Sequence, residues 1–156
     1  MRKDFRKTFV LGAALFALAL TTGAATPSLN STPAQTRITV YKDPGCRCCK
    51  NWIEHLMKHG YGVDAKDTPA MAEVKRTLGV PDRLTSCHTA VVNGYLIEGH
   101  VPAADIAKLL KQKPKVAGLA VPGMPMGSPG MDGPSQQHYQ VLSFDRNGKT
   151  KVFASY

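Results

Sequence analysis

The sequence predicts an α/β fold, a small mixed sheet flanked by helices. Three observations carry this. Short, β-branched stretches alternate with longer stretches of helical periodicity. An Asn93-Gly94 pair, the strongest short hairpin signal, separates two of the strand-like runs. A Cys46-Arg47-Cys48-Cys49 cluster falls where the first strand-like run gives way to the first helical one. A hydrophobic content of 43% with 20% charged residues is ordinary for a packed domain, and excludes collagen-like, coiled-coil and wholly disordered chains.

Residues 37–41 alternate and are β-branched, and predict the first strand. Lys42-Asp43-Pro44-Gly45 is a turn. Residues 46–59 carry Trp52, Ile53, Leu56 and Met57 at helical spacing, with Gly60 as a stop. Residues 61–66 form a second strand. Thr68 then caps a helix opened by Pro69, with Met71, Val74 and Leu78 as its apolar stripe and Gly79 at its end. Met57 and Met71 are assigned to the core. Residues 89–92 and 95–98 pair around the Asn93-Gly94 turn, and Val101-Pro102 opens a third helix with Ile106, Leu109 and Leu110 inward. The order β-α-β-α-β-β-α, with cysteines at the head of the first helix, is a thioredoxin-like arrangement, and two such layers close a core. Residues 37–112 form this core. Residues 113–156 form an extension wrapping it: a Gly/Pro/Met-rich loop over 118–134, then a C-terminal β-hairpin of 139–144 and 149–155 around Asn147-Gly148.

The first residues have the three-part pattern of an export signal. Arg2, Lys3, Arg6 and Lys7 form a basic start, residues 9–20 are apolar, and small residues follow to Ala25. The apolar run is shorter than the roughly 20 residues that span a bilayer. The expectation is a signal peptide over 1–25, a flexible leader over 26–36, and a thioredoxin-like domain over 37–156. The mature protein is then periplasmic, with no stable membrane anchor after cleavage. The formal charge of +9 lacks a basic stripe with interleaved aromatics, so no nucleic-acid partner is expected.

Cys46 and Cys49 have C-x-x-C spacing, which puts two sulfurs one turn apart on one helix face. The free N–H groups and the positive dipole end there favour thiolate, the form that both redox exchange and soft-metal binding need. Arg47, Lys50 and Lys42 add positive charge. Cys87 lies in the loop entering the third strand, facing that helix in a thioredoxin-like chain. Redox-active relatives of that fold carry a cis-proline there, whereas Ser86-Cys87-His88-Thr89 has a thiol and an imidazole. Three or four sulfurs gathered at one point suit a metal better than a two-electron dithiol cycle.

His88 adjoins Cys87, although neighbours in an extended strand face opposite ways. His100 lies just beyond the hairpin, at the end nearest the cysteines. His55 and His59, at i and i+4, are assigned to a solvated face; His138 has no supporting context. Met124, Met126 and Met131 stand among Gly and Pro, where they cannot be a helical core stripe. They are either soft ligands or gap-fillers. Thiolate and thioether select Cu(I), whereas zinc gains little from methionine. The resulting metal-ligand set is Cys46, Cys48, Cys49, Cys87, His88, His100, Met124 and Met126. Four sulfurs held close also allow several Cu(I) ions bridged by shared thiolates.

CRCC at 46–49, Trp52, LGVP at 78–81, SCHTAVV at 86–92, GYLIEGHVP at 94–102 and GLAVPGMPMGSPGM at 118–131 together resemble the DUF411 family, which includes periplasmic copper-resistance proteins. The resemblance covers residues 37–156, with Arg47 where glycine is expected. It implies a thioredoxin-like fold, copper binding at Cys46, Cys48, Cys49 and Cys87 with His and Met support, and periplasmic copper handling with interconversion of Cu(I) and Cu(II). Copper ions and other periplasmic copper-handling proteins are the partners it implies. Two alternatives stay open: a thiol–disulfide oxidoreductase using Cys46 and Cys49, and a structural domain with inert disulfides.

Overall fold

The computed structural model describes residues 35–156. The expected signal peptide and nearly all of the leader lie outside the described residues. The elements are β1 (Arg37–Lys42), α1 (Arg47–Lys58), β2 (Gly62–Asp67), α2 (Met71–Leu78), β3 (His88–Val92), β4 (Tyr95–Glu98), α3 (Ala103–Gln112), β5 (Gly118–Ala120), β6 (Gln140–Phe144) and β7 (Thr150–Ser155). The β-α-β-α-β-β-α order read from the sequence is present. The strands form one seven-stranded mixed sheet in the order β2-β1-β3-β4-β5-β6-β7. The β1–β2 and β4–β5 pairs are parallel and the others antiparallel. Asn93 and Gly94, at φ of 46° and 82°, supply the left-handed pair that a tight β3–β4 turn requires.

Successive residues of a strand face opposite sides of a sheet, so a two-sided sheet needs apolar residues at neighbouring positions. Leu96 and Ile97, Leu119 and Ala120, and Val141 and Leu142 divide in this way between two clusters. The larger cluster gathers Ile38, Val40, Ala90 and Val92 of the sheet with Trp52 and Leu56 of α1 and Ile106 and Leu109 of α3, all buried. Full burial of each such side chain contributes about 1.5–3 kcal/mol, so this cluster fixes where both helices sit. The smaller cluster joins Leu84, Ala120 and Phe144.

Four expectations are corrected. Residues 113–156 do not merely wrap the core: β5, β6 and β7 continue the sheet, and β5 lies inside the Gly/Pro-rich stretch. Its three residues are too few to show a period, and pairing with β4 and β6 makes them a strand. Helix α2 begins at Met71, because the Thr68 hydroxyl accepts the Ala70 N–H and closes a local turn instead of capping the helix. The buried residue of α2 is Lys75, with Met71 only partly covered. Met57 is 59% exposed, since the buried face of α1 is set by Cys49, Trp52 and Leu56.

Candidate metal centre

One half of the centre is the head of α1. The Asp43 carboxylate accepts the Gly45 N–H at 2.8 Å, and the Cys46 N–H bonds the Asp43 carbonyl at 3.1 Å. This turn delivers Cys46 as the N-cap of α1, where its Sγ accepts the Cys49 N–H at 3.3 Å. Sulfur takes the capping role usually held by an oxygen. Cys46 and Cys49 are joined in a disulfide with their Cα atoms 5.4 Å apart. Cys48 and Cys87 are free thiols. The Cys48 Sγ lies 3.5 Å from the Cys46 Sγ and 3.7 Å from the Cys87 Sγ. Lys42, expected to add charge here, is buried in an ion pair with Asp67, while Arg47 and Lys50 are exposed.

The other half comes from the β3–β4 end of the sheet. Cys87 precedes β3 in irregular backbone, so strand alternation does not separate it from His88. The His88 Nδ1 lies 3.2 Å from the Cys87 Sγ, and the His100 Nε2 lies 3.1 Å from the same sulfur. The rings of Trp52 and His88 are 4.3 Å apart, and those of His88 and His100 meet edge to face at 4.9 Å. His100 is fully buried and is neither a surface group nor a cap. Two donor groups result, each with one ligand atom per residue and these atoms all within 4.8 Å of one another: Cys46, Cys48, Cys49 and Cys87, and Cys87, His88 and His100. Cys87 belongs to both.

The Gly/Pro-rich loop closes over this point. The Pro129 carbonyl lies 2.8 Å from the His100 Nδ1, which therefore carries the proton and leaves Nε2 a bare lone pair facing sulfur. Gly130 runs so close to α1 that a Cβ there would stand 2.7 Å from the Trp52 backbone nitrogen and 2.8 Å from the Cys48 carbonyl oxygen. Met124 is 53% exposed, and the methyl end of Met126 is turned against Gly133 of its own loop.

Burial sets the titration state of the donors. Burial, with a contribution from neighbouring Cys48, pushes the Cys87 thiol up to about 12, so an arriving metal ion must displace its proton. Burial holds His88 well below the usual imidazole range, reinforced by His100 and Lys75. Burial also lowers His100, against the pull of the Pro129 carbonyl. Both rings are therefore neutral at pH 7, the form that coordinates metals. The His88 Nε2 is buried without a hydrogen-bond partner among the described residues. An unpaired buried polar atom costs on the order of 1–3 kcal/mol, which native structures accept mainly where a group has a task.

Behind the donors lies a network that the sequence did not reveal. The Glu98 carboxylate accepts the Ser86 N–H at 2.6 Å, the Thr89 hydroxyl at 2.6 Å and the Lys75 ammonium at 2.6 Å. Lys75 also donates to the Thr89 hydroxyl at 2.9 Å. Burial pushes the Glu98 carboxyl up, and Lys75, Thr89 and the Ser86 N–H pull it back. The carboxylate thus grips the chain on both sides of Cys87 and His88. Gly99, at φ 72°, lets β4 turn into His100 where a Cβ would meet the Val121 carbonyl at 2.6 Å and Ser86 at 2.7 Å. Elsewhere, the His55 Nε2 accepts the Ala103 N–H at 3.1 Å and so caps α3, while His59 is exposed.

Fold and site together define a mixed α/β protein with a sulfur- and imidazole-lined centre able to hold a metal ion. The family model described as "Protein of unknown function, DUF411" matches residues 84–131. Two solved structures titled "Copper resistance protein copG", Form 1 and Form 2, each align with a TM-score of 0.74 at 48% identity, covering 78% of this chain and 98% of theirs. No curated protein matches the chain. The chain belongs to the DUF411 family, as the sequence motifs implied.

Proposed function

We propose that this is a periplasmic copper-binding protein of copper handling and resistance, which holds Cu(I) and cycles it between Cu(I) and Cu(II). The observation that carries the reading is the position of the Cys87 Sγ, shared by a four-sulfur group and a thiol–diimidazole group. Soft thiolates favour Cu(I), and neutral imidazole also accommodates Cu(II), so this set serves both states. In this reading copper is the cargo. Cys46, Cys48, Cys49, Cys87, His88 and His100 receive it, Met124 and Met126 on the covering loop assist, and shared thiolates bridge several Cu(I) ions. The likeness to copper-resistance structures supports the choice of metal. The first four strands and three helices form a thioredoxin-like core within a 37–156 domain, exported by the 1–25 signal. Other periplasmic copper-handling proteins supply or accept the ion.

The test is anaerobic loading of reduced protein with Cu(I), beside Cys87→Ser. The parent should show ultraviolet thiolate-to-copper absorption, hold more than one copper against a mild chelator, and lose most of it in the variant. Copper that washes out of the parent overturns the reading; a parent that never exceeds one copper overturns the bridged cluster.

The disulfide between Cys46 and Cys49 favours a second reading, a thiol–disulfide oxidoreductase. Against it stand the crowding of Cys48 and Cys87 around the bridge and the absence of proline from Ser86-Cys87-His88-Thr89. Turnover of insulin or a dithiol substrate by metal-free protein would favour it.

A further inference from the structure

The disulfide removes two of the four clustered sulfurs from ligation but does not dismantle the centre. Cys48 and Cys87 remain free, 3.7 Å apart, with His88 and His100 still aimed at the Cys87 sulfur from 3.2 and 3.1 Å. One structure thus holds a closed sulfur pair directly beside a set of two thiols and two imidazoles. The pair that has closed lies at the head of α1, where Cys46 is the N-cap and its Sγ accepts the Cys49 N–H at 3.3 Å.

We propose that the Cys46–Cys49 pair is the electron source for copper reduction at this centre, an inference that rests on the copper-binding reading. Two Cu(II) ions and the two thiols give two Cu(I) ions, one disulfide and two protons. Both S–H bonds break, the S–S bond forms, and each sulfur loses one electron to one copper. Cys48, Cys87, His88 and His100 retain the Cu(I) formed. An external dithiol reopens the bridge. Cys46 is partly exposed while Cys49 is fully buried, so the incoming thiolate attacks the Cys46 sulfur and Cys49 departs as the leaving thiolate.

The experiment starts from fully reduced protein under anaerobic conditions. Cu(II) is added in steps. At each step Cu(I) is read with bicinchoninate in the presence of EDTA, copper retention by gel filtration and metal analysis, free thiols with a thiol reagent, and disulfide connectivity by peptide mass mapping. The expected result is a plateau at two Cu(I) per chain, loss of two of the four thiols, and a bridge mapped to Cys46–Cys49. Dithiothreitol should then restore a second, equal round. Cys46→Ser and Cys49→Ser should each cut the Cu(I) yield at least tenfold; using both guards against a fold defect from the buried position. Cu(II) retained with all four thiols intact overturns this inference and leaves copper binding standing. Oxidation of all four thiols, or a bridge mapped to another pair, also overturns it. Copper neither retained nor reduced overturns the copper-binding reading itself.

Discussion

The His100 Nε2 stands 3.1 Å from the Cys87 Sγ, and a carbonyl from a distant segment sets that orientation: the Pro129 carbonyl accepts the Nδ1–H on the far side of the ring at 2.8 Å. A ring held in this way presents a lone pair that needs no reorganisation before it binds metal. Removing the partners that orient a ligand commonly costs about 10–100-fold in metal affinity, so losing the ring itself costs at least as much. His100→Phe is expected to weaken copper binding at least tenfold in a chelator competition. Far-ultraviolet circular dichroism should stay unchanged, because the phenyl ring refills the buried space.

Trp52 is the only tryptophan, and its ring lies 4.3 Å from that of His88, with its indole N–H bonded to the Val101 carbonyl at 2.9 Å. Its emission therefore reports on the centre alone. Copper titration is expected to quench it in step with loading, and His88→Leu should weaken the quenching. Emission that stays constant as copper binds would place the ion away from His88.

Gly99→Ala introduces a methyl where the Val121 carbonyl and Ser86 leave no room, at a backbone angle unfavourable to alanine. Overpacking costs about 1–3 kcal/mol and a left-handed non-glycine residue about 1–2 kcal/mol. A loss of roughly 2 kcal/mol or more is expected in urea unfolding. Because Gly99 sits between Glu98 and His100, copper affinity should fall with it.

Lys75→Met strips the buried Glu98 carboxylate of its cation. Breaking a buried pair from one side costs about 3–5 kcal/mol, whereas replacing both members is often close to neutral. The double variant Lys75→Met/Glu98→Gln should therefore be more stable than Lys75→Met alone, as judged by urea midpoints.

His55 links α1 to α3 by accepting the Ala103 N–H, which only the neutral ring can do. Burial, then His59 and Lys58, hold its pKa below the ordinary histidine value of 6.5. The unfolded chain therefore binds this proton first as pH falls. The contribution of His55 to stability is complete above pH 6.5 and is lost as pH drops through the lower folded value. Between pH 7.5 and 5, the parent should lose more stability than His55→Gln, whose amide does not titrate. Equal losses would remove the cap from the account.

Local chemistry made much of this legible. Alternating Ile38 and Val40, the Trp52–Leu56 stripe and the Asn93-Gly94 turn each declare their element within a few residues, and each element is present. The stripe on α2 misled because Met71, Val74 and Leu78 have the right spacing for a core face, yet the buried position is Lys75, which follows its partner Glu98 inward. No local pattern announces that a lysine has a carboxylate 23 positions away.

The amino-acid order by itself determined the strands and helices, the cysteines at the head of α1, the membership in DUF411 and the soft character of the donors, because these depend on side-chain type and near-neighbour spacing. Only the tertiary structure decided that the free thiol of Cys48 stands 3.7 Å from that of Cys87, that His88 and His100 both face the Cys87 sulfur, and that β5, β6 and β7 extend the sheet. These relations join residues far apart along the chain, and they exist only once burial of the apolar faces has fixed the backbone that carries them.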